Sequence, residues 1–237
     1  FALMTTLKDK FAKNKAKIDS VTTNKRVEVQ FEEIDTPTTE QAMNTQQVSS
    51  KVTINGASQI IGYSSIMKTG DSDNGEIFGL LKDYQDNNLS LNGQPYLCNG
   101  TNGGMSSGLD FSSFLNVNNK LYMVSQFECG IGGIYMTELT QNATTGALTP
   151  KSGTLRYISQ KDEFGGFVHC AGQKTPWESH LGSEEYEPDA RATQELNSTA
   201  TDYGNVNLFS GTLKYWQDDT TKMSPYYYGW TPEVIVN

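Results

Sequence analysis

Apolar and polar residues alternate in short runs along most of the chain, and clusters of Gly, Asn and Asp separate the runs. Val27, Val29 and Phe31 alternate with Glu28, Gln30 and Glu32, the period-two pattern of a half-buried strand. Further runs predict strands at 51–54, 59–63, 121–127, 134–139, 154–158, 206–209 and 230–236. The polar stretch 35–50 contains Pro37 and predicts a linker that holds one helical turn. Residues 1–26 follow a different period. Leu3, Leu7, Phe11 and Ile18 fall on one helical face among lysines, which predicts a short basic amphipathic helix. The pattern gives an all-β protein in three parts: a helical arm at 1–26, a strand and linker at 27–50, and a β body at 51–237.

At 237 residues and 36% hydrophobic, the chain has enough apolar surface for a core. Its 22 glycines, 12 tyrosines and many Asn, Thr and Ser residues suit an extracellular style of β protein. The net charge is -9, and residues 1–26 hold seven basic and two acidic residues, +5, which leaves -14 on the remainder. Such an acidic body excludes nucleic acid as a partner, because a polyanion is repelled by it. It suits a secreted protein that collects divalent cations. No apolar run approaches the length of a transmembrane helix. Cys98, Cys129 and Cys170 cannot all pair within one chain. One disulfide with one free or metal-bound thiol, or no disulfide at all, both fit.

Chemistry is densest at 170–189, which holds Glu178, Glu184, Glu185, Glu187, Asp189, His180 and Cys170 between and beside Pro176 and Pro188. Prolines remove backbone donors and acids are not buried unpaired, so the segment reads as a site loop. Glu184, Glu185 and Glu187 repel one another unless a cation neutralises them, and a hard, oxygen-seeking ion such as calcium is the natural partner. Consecutive residues of an extended chain point oppositely, so one of Glu184 and Glu185 is expected to ligate while the other orients the loop; Glu184 is taken as the ligand. Cys170 reads as a small buried residue that positions the loop, with a metal-bound thiolate as the alternative. His169 and His180 are not at metal-ligand spacing, and Trp177 is expected to anchor the loop by packing. Asp71, Asp73 and Glu76 alternate around Asn74-Gly75 but lack the remaining ligands of a calcium loop, which leaves an acidic turn.

Cys170-Ala171-Gly172 with Thr175-Pro176-Trp177, then Leu181 and Glu184-Glu185, resembles the signature of the PhoX-type alkaline phosphatase family. Asn74-Gly75-Glu76-Ile77-Phe78-Gly79 with Asp83, Gln126-Phe127-Glu128, and Tyr228-Gly229-Trp230 with Glu233 are similar to other family segments, in the same order. The resemblance implies a secreted, periplasmic or extracellular β-propeller that hydrolyses phosphate esters with calcium and iron. This chain would supply roughly the first half of the propeller. It implies Glu128, Glu184, Glu185 and Asp83 as metal ligands and Glu184 as catalytic, with Lys174 and Arg191 as the nearest candidates to contact phosphate. The expected partners are a phosphate-ester substrate and, through open strand edges, a C-terminal half or other subunits. The alternative is a non-catalytic, calcium-stabilised extracellular protein, structural or filament-forming, derived from the same fold.

Overall fold

The computed structural model describes residues 27–43, 48–98, 106–191 and 211–237. The helix expected at 1–26 and the strand expected at 206–209 lie outside these residues. The chain divides into two compact units, Phe1–Ser64 and Ser65–Asn237.

The first unit contains an antiparallel meander of β1 (Val29–Phe31), β2 (Lys51–Ile54) and β3 (Ala57–Ile60), in that order. Asn55 and Gly56, at φ 49° and 80°, make the β2–β3 turn. Positive φ at both central residues matches the twist of a two-residue hairpin. The single helical turn expected in the linker is α1 (Glu40–Met43), where Thr39 Oγ1 accepts the Ala42 N–H at 3.2 Å. Because β1 pairs with β2, the sheet joins the expected strand-and-linker part to the start of the expected body.

The second unit opens with two small hairpins, β4 (Ser72–Asp73) with β5 (Glu76–Ile77) and β6 (Ser90–Leu91) with β7 (Gln94–Pro95). Three long strands follow: β8 (Ser106–Val117), β9 (Lys120–Cys129) and β10 (Gly133–Gln141). Two short ones, β11 (Leu148–Pro150) and β12 (Arg156–Ile158), pair with opposite ends of β10. A second sheet runs β13 (His169–Lys174), β14 (Ser179–Glu184), β15 (Glu233–Ile235). Every pairing is antiparallel.

Alternation along β9 explains the layering, since successive side chains leave opposite faces. Met123, Phe127 and Cys129 enter a core with Phe78, Tyr135, Leu139, Leu155, Tyr215 and Trp216. Phe78, Phe127 and Tyr135 meet edge to face there, with centroids 5.0 to 5.9 Å apart. A Cys98–Cys129 disulfide lies in the same core. Val124, on the opposite face, packs with Leu115, Ile134, Val234 and Val236. The β13–β15 sheet covers this second face.

Two glycines set how closely the layers approach. Gly172 and Gly182 are register partners. A Cβ on Gly172 would meet the Phe111 ring at 2.3 Å, and one on Gly182 would meet the Gln126 amide oxygen at 2.6 Å. Only glycine admits the β13–β14 hairpin at that distance.

The architecture is all-β, as the pattern predicts. The described residues form facing antiparallel sheets, and neither a closed barrel nor a propeller is seen among them. One local expectation is corrected: the acidic segment is a strand hairpin for most of its length, not a loop. Pro176 falls in the turn between β13 and β14 and Pro188 lies beyond β14, so neither proline interrupts a ladder.

Candidate metal centre

Irregular register assembles the site. In the β8–β9 ladder Leu109 pairs with Phe127 and Phe111 pairs with Gln126, so Asp110 is the extra residue of a bulge. In β13, His169 faces Glu184 and Gly172 faces Gly182, which leaves Cys170 and Ala171 opposite Ser183 alone. A bulge re-aims the side chain it carries. Both bulges lie beside Glu128 of β9, and one atom from each of Asp110, Glu128 and Cys170 falls within 4.8 Å of the others. Cys170 is not in a disulfide.

Glu185, the first residue after β14, borders the cluster. The Cys170 thiol hydrogen-bonds to it, and its charge acts on Asp110. Tyr186, held at φ 55°, also hydrogen-bonds to Glu185. Burial pushes the Cys170 thiol up to about 11, reinforced by the Glu185 hydrogen bond and the charges of Asp110, Glu185 and Glu128. Burial, with Glu185 beside it, also raises the Asp110 carboxyl. Negative charge is therefore concentrated here, and a cation would lower all of these values. Carboxylate oxygens with one thiolate form a donor set for a borderline transition ion rather than an all-oxygen calcium cage.

A buried polar network supports the centre from below. Gln126 is fully buried, and its amide NH2 donates to the carbonyls of Cys170 and, at 3.1 Å, Ala171. Carbonyls only accept, so the amide oxygen must face the His180 Nε2–H, 2.9 Å away. The neutral His180 then accepts from the Ser113 hydroxyl through Nδ1 at 2.9 Å. Burial lowers the His180 pKa to about 4. This chain ties the β13 bulge to β9, where Glu128 follows two residues after Gln126 on the same face.

Of the residues expected from sequence, Glu128 and Glu185 come together. Glu184 points elsewhere and is not in the cluster: its Oε1 accepts the Phe167 N–H at 2.8 Å, and its Oε2 accepts Gly229 and Trp230 N–H at 2.7 and 3.0 Å. It lines a separate cleft of about 230 Å³ with Gln160, Glu163, Gly165 and Trp230. Asp83 is also outside the cluster. It is buried and accepts from Gln85 N, Asn87 N and Gln217 Nε2 at 2.8, 2.9 and 2.6 Å. Burial opposes its ionisation, but these hydrogen bonds hold its pKa below the usual value. The Lys174 ammonium pairs with Glu178 at 2.7 Å, and Arg191 is exposed at the end of a described stretch. His169 is fully buried, with Nε2 against Gln160, and burial drives its pKa to about 3. Trp177 is 69% exposed and donates Nε1–H to Glu233 at 2.7 Å, so it holds the hairpin turn by a hydrogen bond rather than by packing.

Asp73 and Glu76 are used structurally. Asp73 accepts three N–H bonds, from Gly153, Thr154 and Leu155, at 2.8 to 3.0 Å, and Glu76 pairs with Lys82 at 2.8 Å. Asn74 and Gly75 between them have φ 55° and 80°, a tight hairpin turn. Asp110 carried no sequence signal, because it is a lone acid between Leu109 and Phe111 and only the register of β8 on β9 brings it to Glu128.

Glu184 gives a pH signature. Burial raises its pKa to about 7 although three N–H groups pull it down. A carboxyl with a folded pKa above its unfolded value adds stability below about 4.5, and that contribution is lost as pH rises through about 7. The melting temperature of the native protein relative to Glu184→Gln should therefore fall across this window. A difference that is flat or rises with pH contradicts the assignment.

Comparison with protein-family models, with curated proteins and with solved structures finds no match to this chain.

Proposed function

We propose that the chain is the metal-binding part of an extracytoplasmic phosphoesterase, with Asp110, Glu128 and Cys170 holding an iron-type ion and Glu185 beside them. The observation that carries this reading is the convergence of two carboxylates and a free thiol on two bulges, with a third carboxylate at their border. The Cys98–Cys129 disulfide supports an oxidising compartment outside the cytoplasm. The likeness of the segments around Cys170 and Glu128 to PhoX-type phosphatases supports phosphate esters as the substrate class and a partial propeller as the wider architecture.

The roles follow from the residues. Cys170 must lose its proton to ligate, so binding releases a proton and tightens as pH rises. Asp110 and Glu128 hold the ion from adjacent strands, and the hydrogen bond from Tyr186 orients Glu185. Lys174 is engaged by Glu178, so a metal held by Asp110, Glu128 and Cys170 would supply positive charge towards a phosphate ester and would acidify a bound water.

The test is titration of metal-free protein with iron(II) and with calcium, read by calorimetry, alongside hydrolysis of a generic phosphomonoester. Iron should bind with proton release, and Cys170→Ser and Glu128→Gln should each weaken binding at least about tenfold and reduce hydrolysis in parallel. If neither ion binds and chelator leaves the melting temperature unchanged, the site reading fails. Calcium binding without hydrolysis favours the non-catalytic, calcium-stabilised protein instead.

A further inference from the structure

The sheet of the Phe1–Ser64 unit leaves much of one apolar face exposed. Directly opposed residues of antiparallel strands share a face, so the pairs Val29–Ile54 and Phe31–Val52 place these four side chains together, with Ala57 opposite Ile54. Val52 is buried, but Phe31 is 66%, Val29 48% and Ile54 38% exposed. The other face presents Gln30, Lys51, Thr53 and Ser58, with Ile60 at its edge. A sheet of three strands, each three or four residues long, needs its apolar face covered to be stable.

We propose that residues 1–26 of the same chain cover this face, with Leu3, Leu7, Phe11 and Ile18 laid against Val29, Phe31 and Ile54. The charges are complementary. Residues 1–26 carry +5, whereas residues 27–64 carry five acids, Glu28, Glu32, Glu33, Asp35 and Glu40, against Lys51, which is -4. The tether is also suitable. Ile18 precedes Val29 by eleven residues, a span of up to about 36 Å, longer than strands of this length. Such a tether sets an effective concentration of about a millimolar, which outcompetes the same segment of a second copy at micromolar protein. The apolar stripe supplies the attraction, and the lysines select an acidic surface.

The experiment is trypsin digestion of the full chain, following cleavage at Lys8, Lys10, Lys13, Lys15, Lys17, Lys25 and Arg26. The native protein should be protected at these sites. Phe31→Glu should speed cleavage about tenfold, the equivalent of ~1.4 kcal/mol, while Phe31→Leu leaves it unchanged. Phe31 is mostly exposed in the described sheet, so neither change endangers the rest of the fold. Protection should be independent of protein concentration and weaken with added salt. Equal cleavage of native and Phe31→Glu protein overturns the proposal. Protection that grows with protein concentration also overturns it, because the covering segment would then belong to a second copy.

Discussion

Replacing Cys98 and Cys129 together with alanine lowers the melting temperature by about 6–16 °C. The bridge spans a sequence separation of 31, and closing a loop of that length restricts the unfolded chain by about 3–4 kcal/mol. In a unit of this size each kcal/mol moves the midpoint by roughly 2–4 °C. Both cysteines are buried in the aromatic core beside Phe127 and Tyr135, so the loss is not relieved by solvent. Calorimetry of the native and doubly substituted proteins checks this. Reduction of the native protein should reproduce the shift, whereas Cys170→Ser, which touches no disulfide, should not. An unchanged midpoint after verified reduction would show that the bridge does not constrain the fold.

The second large effect is expected at Gln126. Gln126→Leu keeps the volume but strands the His180 Nε2–H and removes the donor from the Cys170 and Ala171 carbonyls. Each buried group left without a partner costs about 1–3 kcal/mol, so a loss of about 3–5 kcal/mol is expected in chemical denaturation. The metal-centre reading adds a second outcome. The same carbonyls hold the bulge that aims Cys170, so iron affinity should fall about 10- to 100-fold, as for other residues that orient ligands. A structural role alone would lower stability and leave the affinity of the folded fraction unchanged. Calorimetric titration below the melting transition separates these results.

The layering on β9 shows what a sequence carries well. Met123, Phe127 and Cys129 alternate with Val124, Gln126 and Glu128, and strands predicted at 121–127 and 134–139 fall within β9 and β10. Strand β2 falls at 51–54 as read from its alternation. Local periodicity decides such elements because every side chain takes one of two faces. The long strand β8 escaped the same reading. Its Ser106-Ser107-Gly108 start looks like a continuation of the Gly- and Asn-rich stretch before it, and only pairing with β9 makes it a strand. The β13–β14 hairpin escaped because its prolines and acids argue against burial, yet the prolines lie outside the ladders and Glu184 is satisfied by three backbone amides.

The candidate centre divides in the same way. Sequence alone determined that the chain is rich in short β-strands, that its body is acidic while residues 1–26 are basic, and that Glu128 and the Glu184–Glu185 pair are chemically conspicuous. It also determined that at most two of three cysteines can pair within the chain. Tertiary structure decided which two pair, and that Glu185 rather than Glu184 borders Cys170. It alone brought Asp110 to Glu128, because register and bulges follow from the pairing of distant strands. A shift of one residue in a ladder reverses the face of every side chain beyond it, and no pattern within β8 or β13 encodes where that shift falls.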